Sequence, residues 1–177
     1  MAAYDPVKLS DLAAACLKAV GNHAKGEAMA DLVEYVFTEV PGVLLVERSH
    51  TYPDNTAEVD FIFSNKPYVS LLPTHGVTVF IECKNEARKI SASQVRVFGS
   101  KLGDRAQRFG VMVTRQGLSG KGMSSAHGAI VRELQHGRSI VVLTLPELAA
   151  LLVSDDLVAL CEARLMELES KGTYVTI

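Results

Sequence analysis

Val79-Phe80-Ile81-Glu82-Cys83-Lys84 reads as an apolar strand that ends in charge. Successive side chains of a strand point to opposite faces, so Glu82 and Lys84 share one side and Cys83 takes the other. A carboxylate and an ammonium are thereby set together at the edge of a buried element, where ions are costly unless they pair or bind something. Spacing alone is a weak signal, because Glu169-Ser170-Lys171 repeats it in what reads as a helix end, where ions are simply solvated.

The preceding apolar run, Glu58-Val59-Asp60-Phe61-Ile62-Phe63, supplies a second carboxylate. Alternation predicts Val59, Phe61 and Phe63 on one side, with Asp60 and Ile62 on the other. Antiparallel pairing of the two strands would bring Asp60 beside Glu82. Two hard carboxylates and a main-chain carbonyl, that of Cys83, make an oxygen site suited to Mg²⁺ or Mn²⁺. Such an ion would polarise a phosphate and acidify a bound water, with Lys84 placed to position that water and to stabilise developing charge.

Working outward, the period before this pair is helical. Val7 to Val20 and His23 to Val40 carry apolar residues at three- and four-residue spacing, the second ending at Pro41-Gly42. Short apolar runs follow at Val43–Val46, Ala57–Phe63 and Val77–Cys83, separated by turn-rich segments such as 52–55 and 64–67. After them come a helix over Ser91–Gln107, a strand over Phe109–Thr114, a helix over Ser124–His136 and a strand over Ser139–Leu145. Helices over Pro146–Leu152 and Asp155–Glu169 close the chain. Two N-terminal helices, three successive strands, then alternating helix and strand predict an α/β fold, a mixed central sheet of about five strands flanked by helices.

Composition agrees with a packed core. The 177 residues are 48% hydrophobic and 21% charged, which excludes a disordered chain and fits one domain over 1–177. No apolar run reaches membrane-spanning length and the start lacks a signal-peptide pattern, so no membrane partner is expected and the expected setting is the cytoplasm. Cys16, Cys83 and Cys161 have no C-x-x-C spacing and read as buried reduced thiols.

The arrangement resembles the PD-(D/E)xK nuclease superfamily, and most closely its restriction-endonuclease-like branch. The likeness rests on the Asp60 strand, on Glu82-Cys83-Lys84-Asn85, on the helix opening Ser91-Ala92-Ser93-Gln94 and on the strand Phe109–Thr114, and it spans about 23–152. It implies a restriction-endonuclease-like core and Mg²⁺- or Mn²⁺-dependent hydrolysis of DNA phosphodiesters. Asp60, Glu82 and Lys84 would be the catalytic set, and Asp60, Glu82 and the Cys83 carbonyl the metal ligands. Phage defence and DNA repair are the settings the family implies.

Two departures stand out. Val59 occupies the position of the motif's Pro. Family members often carry a further acid on the early helix, but alignment of Lys25-Gly26 puts Ala30 there, among Glu27, Asp31 and Glu34. Glu34, one turn along, is the residue that would substitute. A weakened enzyme that keeps the fold and binds DNA, or acts in an assembly, is the alternative reading.

The formal net charge of −2 hides a block structure. Residues 1–83 sum to −6, residues 84–138 to +8 and residues 139–177 to −4. A cationic middle that begins at Lys84 is the pattern of a surface that meets a polyanion. Arg88, Lys89, Gln94, Arg96, Lys101 and Lys121 are the expected DNA contacts, giving affinity without sequence readout. Gly117 to Gly122 lacks the order of a nucleotide-binding loop, and the five histidines show no metal spacing. A core of this size leaves little room for a recognition domain, so a homodimer or a partner subunit is expected.

Overall fold

A computed structural model describes residues 2–52, 58–66, 76–120 and 122–172. Its elements are α1 (Pro6–Lys18), α2 (Asn22–Thr38), β1 (Val43–Thr51), β2 (Glu58–Asn65), β3 (Thr78–Lys84), α3 (Ala92–Asp104), β4 (Phe109–Thr114), α4 (Ala126–Gln135), β5 (Ser139–Thr144), α5 (Leu145–Ala149) and α6 (Ser154–Lys171). The fold is α/β, with one mixed five-stranded sheet in the order β1-β2-β3-β4-β5. β1, β2 and β3 pair antiparallel, and β3, β4 and β5 pair parallel, with α3 and α4 as the crossovers.

Local chemistry explains the ends. Asp5 caps α1 by accepting from the N–H groups of Val7 and Lys8, with Pro6 at the first helical position. Ser91 with Gln94 and Thr144 with Glu147 form capping boxes at α3 and α5. β4 is buried at all six positions, as a parallel strand covered on both faces must be.

The sheet separates two apolar clusters. One gathers Phe61, Phe63, Val79, Ile81, Val111 and Val113 with α1, α2, α5 and much of α6. It draws on Leu9, Cys16, Leu157 and Leu165, so the core extends beyond the 23–152 span of the family resemblance. The other gathers Ile62, Phe80, Met112 and Val142 with α3 and α4. α3 lies very close to the sheet because β4 carries a glycine at the contact: a Cβ on Gly110 would come within 2.7 Å of Phe98 Cζ. Among the described residues no helix is long and apolar enough to cross a membrane.

Two expectations are corrected. β1 does not stop at Val46 but runs to Thr51, through an irregularity between Leu45 and Glu47 that lets the polar half of the strand keep pairing with β2. That half, Glu47-Arg48-Ser49-His50, has no apolar run to announce it. Val59 also leaves the face of Phe61 and Phe63 and packs with Ile62 and Phe80. The change falls beyond the end of the β2–β3 ladder at Phe61–Ile81, where Val59 is paired on one side alone, with His50 of β1. Ala57, Lys121 and the turn over 53–55 lie outside the described residues.

Candidate active site

The β2–β3 ladder ends one pair short of Asp60 and Glu82, and the site is built in the gap. Asp60 Oδ2 accepts the main-chain N–H of Cys83 at 2.6 Å, a side-chain bond standing where a ladder bond would otherwise run. Glu82 is 5% exposed and lies on the α3 side of the sheet with Phe80. Its Oε1 is 2.7 Å from Lys84 Nζ and its Oε2 is 2.8 Å from Lys101 Nζ. The four groups, two carboxylates and two ammoniums, form a set with no net charge.

The electrostatics follow from burial and neighbours. Burial, and next the Glu82 charge, push the Asp60 pKa above the ordinary aspartate value; the Cys83 N–H and the two lysines pull the other way without cancelling this. Burial works against the Lys84 ammonium, but Glu82 and, beyond it, Asp60 outweigh that and raise the Lys84 pKa. The contest is decided by distance. Unit charges about 4 Å apart at an effective dielectric near 20 interact by about 4 kcal/mol, comparable to the cost of partial burial. Burial and the adjacent carboxylates hold the Cys83 thiol well above its ordinary pKa, so it is a protonated side chain and not a nucleophile. All three cysteines are free thiols.

The end of β3 opens on a cleft of about 650 Å³ between the first turn of α2 and the segment after Lys84, lined by Asn22, Lys25, Gly26, Lys84, Asn85 and Arg88 among others. α2 is preceded by Gly21, which has φ 86° and gives no side-chain cap, so its first-turn N–H groups lack a side-chain cap from that position. Lys25 has no ion-pair partner among the described residues, whereas Arg88 is held 2.6 Å from Glu86. Asn85 ties the cleft floor together, its Nδ2 donating to the carbonyls of Cys16 and Lys25.

The sequence-predicted residues divide. Asp60, Glu82 and Lys84 come together, with Cys83 bonded to Asp60. Arg88, Lys89 and Arg96 are exposed on the cleft side and on α3. Gln94 is turned to other work: its Oε1 accepts the Ser91 N–H and its Nε2 donates to Glu86 Oε1. Lys101 does not face outward but enters the site on Glu82. Glu34, Glu27 and Asp31 are all drawn to Arg48 of β1, at 3.4, 2.7 and 2.9 Å, and Ala30 is buried in the core. No acid of α2 therefore joins Asp60 and Glu82.

The contact of Lys101 with Glu82, where an outward DNA contact was expected, and the first turn of α2 are the parts that sequence reasoning missed. The signal for Lys101 was present, since it follows Phe98 by three residues and precedes Leu102, at the margin of the buried face of α3. Among the described residues no three His, Cys, Asp or Glu side chains gather to hold a metal ion. A cation here would rest on two carboxylates, main-chain carbonyl oxygen and water, a donor set that suits Mg²⁺ or Mn²⁺ and not zinc. No family model and no curated protein matches the chain.

Proposed function

We propose that the protein is a divalent-metal-dependent nuclease of the restriction-endonuclease-like kind, which hydrolyses phosphodiester bonds of DNA. The observation that carries this reading is the meeting of Asp60, Glu82 and Lys84 at the splayed end of β2 and β3, beside a cleft lined by cations. The α/β sheet, with three antiparallel strands leading into parallel ones, is compatible with that core.

Asp60 and Glu82 would hold Mg²⁺ or Mn²⁺, which when bound supplies polarisation of the phosphoryl group and a lowered pKa for the attacking water. Asp60 is oriented for this by the Cys83 N–H, which engages one oxygen and leaves the other for a ligand. Lys84, fixed by Glu82, places its ammonium where negative charge develops on the phosphoryl oxygens. Lys25 and the first turn of α2 receive the neighbouring backbone phosphate in the cleft, and Arg88, Lys89 and Arg96 draw the strand toward it. A concerted cut of both strands would take two such sites, hence a homodimer or a partner subunit. The cytoplasm is where such an activity would meet its DNA.

The test is incubation of purified protein with plasmid and oligonucleotide DNA with Mg²⁺ or Mn²⁺. Cleavage is expected in the parent and not in Asp60→Asn or Lys84→Met. Equal cleavage by all three proteins would end the proposal.

One observation favours a second reading. Both oxygens of Glu82 are engaged by lysines, an arrangement that also suits a protein that binds DNA through its cationic cleft without cutting it. Salt-sensitive DNA binding with no cleavage under any divalent ion would select this alternative.

A further inference from the structure

Lys101 is a cation on Glu82 that the family motif does not call for. It reaches Glu82 from the last turn of α3, with its Nζ 2.8 Å from Oε2 and its side chain 18% exposed. Each oxygen of Glu82 is held by an ammonium, so a divalent ion that ligates Glu82 competes with those contacts for its lone pairs and is repelled by both cations. Of the two lysines, Lys84 is fixed to the strand that carries Glu82, whereas Lys101 comes from a separate element on a flexible four-carbon stem. The four side chains are already neutral as a set, so a divalent ion added alone would leave two surplus positive charges in a largely buried place beside two ammoniums. A phosphodiester brings negative charge that offsets this and offers Lys101 a new partner.

We propose that Lys101 is a built-in counter-cation of Glu82, released only when a nucleic-acid phosphate enters, so that metal loading is coupled to substrate binding. Resting on the nuclease reading, it adds regulation of the same site. The free protein binds divalent ions weakly, and DNA and metal each raise the affinity for the other by the same factor, as linkage requires. Such coupling keeps the hydrolytic site unloaded away from substrate.

The experiment measures Mn²⁺ binding by electron paramagnetic resonance or calorimetry, with and without a phosphorothioate oligonucleotide that resists cleavage. Parent, Lys101→Met, Lys101→Arg and Asp60→Asn proteins are compared, each first confirmed folded by circular dichroism. Parent protein is expected to bind Mn²⁺ about tenfold or more tightly with DNA than without, a coupling within the ordinary range. Lys101→Met, which keeps the stem and loses the charge, is expected to bind Mn²⁺ about tenfold more tightly than parent without DNA, and to show less gain when DNA is added. Lys101→Arg keeps the charge and is expected to behave as parent, so a change caused merely by disturbing α3 would be seen. Equal Mn²⁺ affinity of parent and Lys101→Met without DNA, with Asp60→Asn still losing the ion, overturns the role of Lys101 and leaves the nuclease reading standing. Mn²⁺ binding that Asp60→Asn does not weaken, or no binding even with DNA, overturns both.

Discussion

Asp60 reaches across the mouth between β2 and β3 and accepts the main-chain N–H of Cys83 at 2.6 Å, beyond the last ladder pair, Phe61–Ile81. The carboxylate therefore closes the sheet as well as facing the site. Asp60→Asn retains an acceptor oxygen for that N–H and should be no less stable than parent. Asp60→Ala leaves the N–H unpaired in a half-buried place and should lose about 1–3 kcal/mol in urea denaturation. Both should lose DNA cleavage, by about a hundredfold or more. A stable, inactive Asn variant beside a weakened Ala variant would separate the two duties of the residue.

The direction of the Asp60 shift fixes a pH dependence. Its pKa is raised in the folded protein, by burial first and by Glu82 next, so the native state favours the neutral carboxyl more than the unfolded chain does. The stability this group contributes is present at low pH and lost as pH climbs through the folded-state pKa. Asp60→Asn imitates the neutral form and escapes the loss, so its stability relative to parent should rise as pH climbs from the ordinary aspartate range through the raised folded-state pKa in paired urea titrations. Parallel curves would show a carboxyl that titrates as it does in solvent. Cleavage needs the ionised form to hold a cation, so the acid limb of the activity profile should lie above the ordinary aspartate range.

Glu82 neutralises two ammoniums while almost wholly buried. Glu82→Gln strands both, and a buried pair broken from one side costs about 3–5 kcal/mol. Lys84→Met or Lys101→Met leaves the carboxylate one partner and should cost less. Guanidinium denaturation of the three variants tests the ranking. A Gln variant as stable as either Met variant would mean that Glu82 does not hold the two lysines together in solution.

Much of this was legible in the sequence where the pattern is local. The wholly apolar runs at Phe109–Thr114 and Ser139–Thr144 announce buried parallel strands, and Ser91 with Gln94 announces a helix start. Glu82 and Lys84 were paired by alternation alone. What was not legible depends on partners distant in sequence. β1 extends to Thr51 because β2 pairs with its polar half. Val59 changes face where the β2–β3 ladder has ended and only β1 still pairs with β2. Lys101, an exposed helix lysine by count, is turned inward because Gly110 lets Phe98 and the whole of α3 settle onto the sheet.

Arg48 gathers Glu27, Asp31 and Glu34 of α2 against β1 and lies 5.9 Å from the Phe61 ring centroid. Burial opposes the guanidinium, but the three carboxylates prevail and raise its pKa. The residue thus serves as a clamp between helix and sheet. Arg48→Met should lower stability by about 1–2 kcal/mol, less at high salt, because its partners are largely exposed. Glu34→Gln removes only the longest of the three contacts and should leave metal-dependent cleavage within about threefold of parent. A large loss on Glu34→Gln would instead place an α2 acid at the metal.

The cleft and the opposite end of the sheet provide a matched pair for testing where a nucleic-acid backbone lies. Lys25 lines the cleft at the C-terminal end of β3, whereas Arg108 stands exposed at the N-terminal start of β4, a strand parallel to β3. Both are single charges, so any purely global effect of net charge is the same for each. If the backbone runs through the cleft, Lys25→Ala should weaken DNA binding at low salt and reduce the slope of log affinity against log salt by about 0.9 for duplex or 0.7 for single strands, one released counterion. Arg108→Ala should leave the slope unchanged. Fluorescence anisotropy over a salt series measures both, and equal slope changes for the two variants would mean that the DNA is held by a diffuse field and not by the cleft. The size of the Lys25 change also distinguishes the two strand forms, because single strands carry a lower charge density and release fewer counterions per contact.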